Sequence, residues 1–237
     1  MHAFAHRRGW LRQPARRRYC AILALVGGAL WLFATAGWIE VKATLAQHLI
    51  ASAWAASGAG GEPVKPWPWA DTWPVARLRV PRHGQDLYVL AGVSGQALAF
   101  GPGFELASVP PGHPGVSVIA GHRDTHFAFL RDLEPGTPLT VETPGRPPQA
   151  YRVTDRAVID SAQQSLVLDR DGPSRLLLVT CYPFDSLGAT GSLRLVVSAV
   201  AVERDGGGGE GPGKGVTLRA SPPIPPGTAN RRVAFSG

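Results

Sequence analysis

The chain reads as an all-β domain, a barrel or a sandwich, carried behind one N-terminal membrane-crossing helix. Three observations predict this. Residues 73–203 break into many short strand-like runs separated by Gly/Pro turns, the pattern of closed or stacked β architectures. Ala21–Ile39 carries no charge over a length that spans a hydrocarbon core as a helix. The stretch that follows the helix and its linker, about 130 residues, suffices for one sizeable hydrophobic core.

Residues 1–20 read as a basic cytoplasmic tail. Arg7, Arg8, Arg12, Arg16, Arg17 and Arg18 precede the apolar run with no acid among them, and the positive-inside rule keeps them in the cytoplasm and sends the rest of the chain across. Trp31 and Trp38 lie in the second half of the span, where aromatic side chains suit the outer interface. A cleaved signal peptide is the alternative, but the apolar run is long for one, and the small residues Ala51-Ser52-Ala53 fall beyond Glu40 and Lys42. The expectation is an uncleaved anchor over residues 21–39, with Gly27-Gly28 as tolerated small residues.

Residues 40–72 read as a juxtamembrane helix and a linker. Glu40–Ser57 is alanine-rich, and Val41, Leu45, His48, Leu49 and Ser52 share a face at helical spacing. Beyond it, Gly and Pro around Trp67 and Trp69 prevent regular structure. Trp67, Trp69 and Trp73 could dock on lipid or on the domain, and the sequence leaves both open.

The folded domain spans residues 73–203. Val75–Val80 alternates as a strand ended by Pro81, and Gln85–Leu90 follows a turn at Arg82-His83-Gly84 to make a hairpin. Ser94–Phe100 reads as a short helical turn, and Gly101-Pro102-Gly103 and Pro110–Gly115 read as loops. Val116–Ala120 is an apolar strand and His126–Leu133 a short helix. Further strands are expected at Pro138–Glu142, Gln149–Asp155, Arg156–Ile159, Arg175–Thr180 and Leu193–Glu203. Residues 204–237 are dominated by Gly, Pro and small polar side chains, which bury too little surface to offset chain entropy, so a disordered tail is expected.

The formal charge of +7 lies in the two ends. Residues 1–18 carry +6 and 203–237 carry +2, while 19–202 hold 13 basic against 14 acidic side chains. A nucleic-acid reader carries its basic stripe on the folded domain, so nucleic-acid binding is not expected. The two cysteines, Cys20 beside the membrane segment and Cys181 at the end of Leu176–Thr180, fall on different units, which argues against a disulfide.

Three places could carry chemistry. Gly121–His126 (GHRDTH) lies at the end of an apolar strand, Cys181 ends another strand just before Pro183, and Arg194 sits inside the apolar run Leu193–Val197. A cysteine where a rigid strand gives way to a loop is well held and reachable, which suits a nucleophile. The same position suits a buried core thiol. Arg194 points outward to solvent or beside the thiol with equal ease at period two, and His122 reads equally as a loop histidine. If the three converge, a thiol attacks a carbonyl, an imidazole moves the proton and a guanidinium stabilises the oxyanion or holds substrate. Zinc on His122, His126 and Cys181, with Asp124 nearby, fits poorly, because the histidine pair needs a helix where a strand ends.

The motifs resemble those of the sortases. Leu178-Val179-Thr180-Cys181 is similar to the T-L-x-T-C signature, Arg194 follows Cys181 by thirteen residues, and Arg194–Ala199 is similar to R-x-V-V-x-A. Val118–Arg123 resembles the A-G-H segment. The longer runs Gly121–Phe127 and Thr180–Phe184 resemble the Gram-negative (class GN) sortases of proteobacteria. Where many relatives place Asn after the glycine that opens the histidine strand, Val116 follows Gly115.

The resemblance implies an eight-stranded β-barrel with short helices. It implies an inner-membrane, single-pass enzyme with its domain on the extracytoplasmic side. Cys181 would attack the Thr carbonyl of an LPxTG-like C-terminal sorting signal on an exported protein, forming a thioacyl intermediate. Arg194 would hold substrate and stabilise the oxyanion. His122 would protonate the leaving amine and then deprotonate the incoming amine nucleophile. Thr180, Tyr182, Asp124 and His126 would bind substrate or support the site, with no metal and no cofactor. Free thiols titrate near about 8.5 and free imidazoles near about 6.5, so a thiolate–imidazolium pair at those values is a minor species near neutrality, and a slow enzyme is expected. The alternatives are another cysteine acyl-transfer enzyme, such as a peptidase or an L,D-transpeptidase (whose S-x-G-C run is missing before Cys181), and a non-catalytic envelope module.

Overall fold

A computed structural model describes residues 13–58, 62–185, 191–202 and 232–233. The chain divides into two compact units, residues 1–46 and 47–237. One helix, α1 (Gln13–Ala56), runs through the uncharged segment and the alanine-rich stretch after it. It is long and apolar enough to cross a membrane. Val41, Leu45, His48 and Ser52 are exposed, whereas Ile50, Ala53 and Ser57 are buried. Ile50 packs with Leu90, Ala97 and the half-buried Trp67. Trp67 therefore docks on the domain, edge-on to Phe100 at 5.1 Å between centroids, while Trp69 stands exposed.

Eight strands close into a barrel, the fold class expected. They are β1 (Pro74–Val80), β2 (Gln85–Ala91), β3 (Gly103–Phe104), β4 (Val116–Ala120), β5 (Pro138–Glu142), β6 (Gln149–Asp160), β8 (Arg175–Cys181) and β9 (Leu193–Ala201). Around the barrel they run β1-β2-β3-β4-β8-β9-β6-β5. The short strand β7 (Leu166–Val167) lies in the β6–β8 connection and pairs with β10 (Arg232–Val233). The remainder of the expected disordered tail lies outside the described residues.

Alternation builds the closure. β1 buries every second residue, and Ala76, Leu78 and Val80 face the interior cluster. Its turn into β2 is a 3-10 helix, Pro81–His83, ended by Gly84 at φ +62°, a conformation a side chain resists. The helix α2 (Gly95–Phe100) begins where the Ser94 hydroxyl accepts a hydrogen bond from the Ala97 N–H at 3.2 Å. It carries the chain across to β3, which runs parallel to β2. Gly103 thus lies in a strand rather than only in a loop. The two strands expected at 149–155 and 156–159 are one. A bulge between Val153 and Asp155 shifts the alternation, and the polar run Thr154-Asp155-Arg156 hides the continuity. The helix expected over 126–133 is a 3-10 turn at Ala128–Arg131, whose carbonyls at Leu130 and Arg131 accept hydrogen bonds from Arg156.

Two apolar layers bracket the central sheet. Ile119, Leu176, Leu178, Leu195 and Val197 face the barrel interior. Val116, Val118, Leu177, Val179 and Val196 face outward, beneath Leu166 and Leu168 of the β6–β8 connection.

Candidate active site

The strand partners of β8 decide what surrounds Cys181. On one side β4 runs parallel, with Ala120 level with Val179. The ladder continues one residue further, since the Gly121 N–H donates to the Val179 carbonyl at 3.0 Å. The buried Thr180 hydroxyl then donates to the Gly121 carbonyl at 2.7 Å. On the other side β9 runs antiparallel, and Cys181 stands directly opposite Arg194. Two strand ends and one strand start therefore meet at one rim of the barrel.

Parity sets the face. Val179 and Val196 belong to the outer apolar layer, so Cys181 and Arg194, two residues along, belong to the outer side as well. Gly121 faces inward, because a Cβ there would meet the ring of Phe127 in the interior cluster. His122 next to it takes the outer side. The sequence left open whether Arg194 points at solvent or lies beside the thiol; register and parity put it beside the thiol.

Cys181 is half-buried and free, and His122 is exposed. Arg194 is 7% exposed. Its Nη1 donates to the carbonyls of Gly191 at 2.7 Å and Leu193 at 2.9 Å. Among the described residues no carboxylate pairs with it. A buried guanidinium held by its own loop and lacking a counter-ion is suited to receive an anion or an oxyanion. No hydrogen bond among the described residues holds the His122 ring. Among the described residues no group of three His, Cys, Asp or Glu side chains is arranged to hold a metal ion.

The supporting residues divide. Thr180 links the cysteine and histidine strands through the bond just described. Tyr182 donates its N–H to the Leu193 carbonyl at 3.0 Å, and its ring packs with Phe184 against the interior cluster. His126 is half-buried, and its Nδ1 lies 3.3 Å from the Thr125 hydroxyl. Burial first, and then the charge on His122, hold the His126 pKa below the usual imidazole value. His126 therefore lies within electrostatic reach of His122. Asp124 is exposed and pairs with Arg123 at 3.2 Å. Arg123, to which the motifs assign no role of its own, is 5% exposed and donates to the Pro183 carbonyl just past Cys181. The one signal for it was a charge set directly behind an apolar strand.

Comparisons with known proteins agree with this architecture. The Sortase domain family model matches residues 78–202, just over half of the 237 residues. Sortase D of Bacillus subtilis (strain 168) is 29% identical over 111 residues, covering 47% of this chain and 56% of that protein. The chain thus spans about half the length of the curated relative it matches. Sortase C1 from Streptococcus suis shares the fold at a TM-score of 0.50 and 21% identity, over 56% of this chain and 75% of that one. The lid mutant of Streptococcus agalactiae Sortase C1 does so at 0.50 and 22% identity, over 70% and 91%.

Proposed function

Because this chain belongs to the sortase family, we propose that it is a membrane-anchored cysteine transpeptidase acting on an LPxTG-like C-terminal sorting signal. The observation that carries the reading is the rim where Cys181 faces Arg194 across one ladder step and His122 leaves the flanking parallel strand on the same side. The Cys181 sulfur attacks the Thr carbonyl of the signal. The Arg194 guanidinium, buried without a carboxylate partner among the described residues, stabilises the charge that develops on that oxygen. His122 gives a proton to the departing amine, leaving a thioester on Cys181. An incoming amine loses its proton to His122 and displaces the sulfur as thiolate, which restores the starting thiolate–imidazolium pair and joins the protein to the amine through a new amide bond. The half-burial of Cys181 supports this over a core thiol, since a nucleophile must be reachable.

The runs Gly121–Phe127 and Thr180–Phe184 support a class GN assignment. The arginines of the 1–20 tail and the uncharged 21–39 span support a single-pass inner-membrane anchor with the domain on the extracytoplasmic side. On this division residues 40–72 join anchor to domain, residues 73–203 are catalytic, and 204–237 form a tail. The full chain in detergent, supplied with a fluorogenic LPxTG-type peptide and a short amine, is expected to release the C-terminal fragment. A thiol probe is expected to label Cys181, and Cys181→Ala to abolish both. Peptide cleavage that survives Cys181→Ala would end the reading.

A further inference from the structure

His122 has no side-chain hydrogen bond among the described residues and is exposed, so the place of its ring is set by the backbone beneath it. That backbone leaves the sheet at Gly121. The His122 carbonyl accepts from the N–H groups of Thr125 at 3.4 Å and Phe127 at 3.0 Å, which closes the histidine segment into a tight turn. What ties this turn to the cysteine is the next side chain. Arg123 Nη1 donates to the Pro183 carbonyl, and Nε donates to Asp124 Oδ1 at 3.2 Å. Pro183 stands two residues past Cys181, and between them the Tyr182 N–H is bonded to Leu193, the neighbour of Arg194. The three site residues thus sit inside a frame of three bonds: Thr180 to Gly121, Arg123 to Pro183, and Tyr182 to Leu193.

We propose that Arg123 is a positioning residue that fixes the separation of the His122 ring from the Cys181 sulfur by fastening the histidine turn to the loop after the cysteine. The proposal rests on the sortase reading for its consequence in turnover, but its geometry stands apart from it. Burial raises the weight of this bond, because the Arg123 side chain is 5% exposed and removing its guanidinium takes the donor from the Pro183 carbonyl. The structure supplies an internal control. Arg131, in the same segment, also grips the post-cysteine loop, 2.7 Å from Asp185 and with its guanidinium 5.2 Å from the Phe184 ring centroid. Its side chain is 51% exposed and that of Asp185 87% exposed, so solvent screens this second link.

The test uses the full chain in detergent with Arg123→Gln, Arg123→Lys and Arg131→Gln. Two quantities are read: kcat and KM for an LPxTG-type peptide, and the rate of iodoacetamide alkylation at Cys181 against pH, quantified on the Cys181 peptide by mass spectrometry. Arg123→Gln is expected to lower kcat by about a hundredfold, the cost of a misplacement of roughly 1 Å, with KM within about threefold of wild type. Its alkylation profile is expected to converge on that of His122→Ala. Arg123→Lys, which keeps the charge but loses the planar fork, falls between. Arg131→Gln stays within about twofold on both readouts. Should Arg123→Gln fail to fold, Arg123→Lys decides alone. A wild-type kcat and alkylation profile in the Arg123 variants, or equal losses in Arg131→Gln, would overturn the proposal. A wild-type chain that leaves the peptide intact refutes the LPxTG-type transpeptidase reading instead, and the alkylation profiles still decide the role of Arg123.

Discussion

Gly121 is the position where stability and chemistry are most directly joined, and Gly121→Ala measures the joint. A Cβ there would lie 2.8 Å from Phe127 Cγ, 2.9 Å from Cδ2 and 3.1 Å from Cδ1. Carbon pairs settle at roughly 3.5–4.0 Å, so ring and strand end must part by about 0.7 Å. The ring cannot easily yield. Phe127 is fully buried, sits edge-on to Phe129 at 5.8 Å between centroids, and is held by its N–H bond to the His122 carbonyl. Overpacking of this kind costs about 1–3 kcal/mol, a drop of roughly 3–15 °C in melting temperature for a domain of this size. Part of the displacement passes to His122, and kcat is expected to fall by about ten- to a hundredfold. Thermal unfolding by circular dichroism and peptide turnover on the full chain give both numbers. Phe127→Leu supplies the cycle: the double variant is expected to be more stable than the sum of the singles predicts by about 1 kcal/mol, because the contact is relieved. A Gly121→Ala protein that melts within a degree of wild type, or strictly additive singles, would refute the clash and its transmission to His122.

Two further outcomes bear on the charged groups. Arg194→Lys keeps a cation but cannot serve the Gly191 and Leu193 carbonyls and an oxyanion from one planar fork; kcat is expected to fall by about 10²–10³-fold in the peptide assay with little change in melting temperature, and near-normal turnover would remove Arg194 from the oxyanion role. For His126, burial and the charge on His122 disfavour the imidazolium in the folded state. The unfolded chain therefore binds that proton more readily. Stability is complete above the unfolded value of about 6.5 and falls as pH drops through it towards the folded value. Ring-proton NMR is expected to give a His126 midpoint below the ordinary value, rising part of the way back in His122→Gln, and an unchanged midpoint would separate the two histidines.

The sequence was most informative where a single period ran unbroken. β1 buries alternate residues along its length, and β4 and β8 are each dominated by Val, Ile and Leu, so all three are legible to within a residue. β6 looks like two strands in the sequence because its bulge reverses the inward parity at the point where the side chains turn polar. β3, β7 and β10 have two residues each and exist through pairings to distant chain, which no local pattern records. On α1 the buried Ile50 and Ala53 lie in an alanine-rich stretch whose period does not single them out. At the site, residue types and the Cys181–Arg194 spacing were visible, but local reading left thiol and guanidinium each with two orientations. Arg123 was missed for a related reason. A loop arginine and a buried one bonded across to another loop are written with the same letter, and only the fold distinguishes them.

The topology explains why chemistry gathers at this rim. Parallel strands end at the same edge, so β4 and β8 release His122 and Cys181 together, and antiparallel β9 enters there with Arg194. Any residue types at those positions would be neighbours; what selects their common face is the packing of the strands below. Leu195, Val197 and Ala199 line the barrel interior, whereas Val196 belongs to the outer layer. A slip of one residue in β9 would turn the three interior side chains outward and drive the Arg194 guanidinium into the apolar core, at a cost of several kcal/mol for the charge alone. The same ladder that closes the barrel therefore keeps Arg194 opposite Cys181 on the outer face, and the site needs no separate device to keep Arg194 in register. The histidine is the exception, because it stands beyond the last residue of β4. Register cannot reach it, and its place depends on Gly121, Thr180 and Arg123.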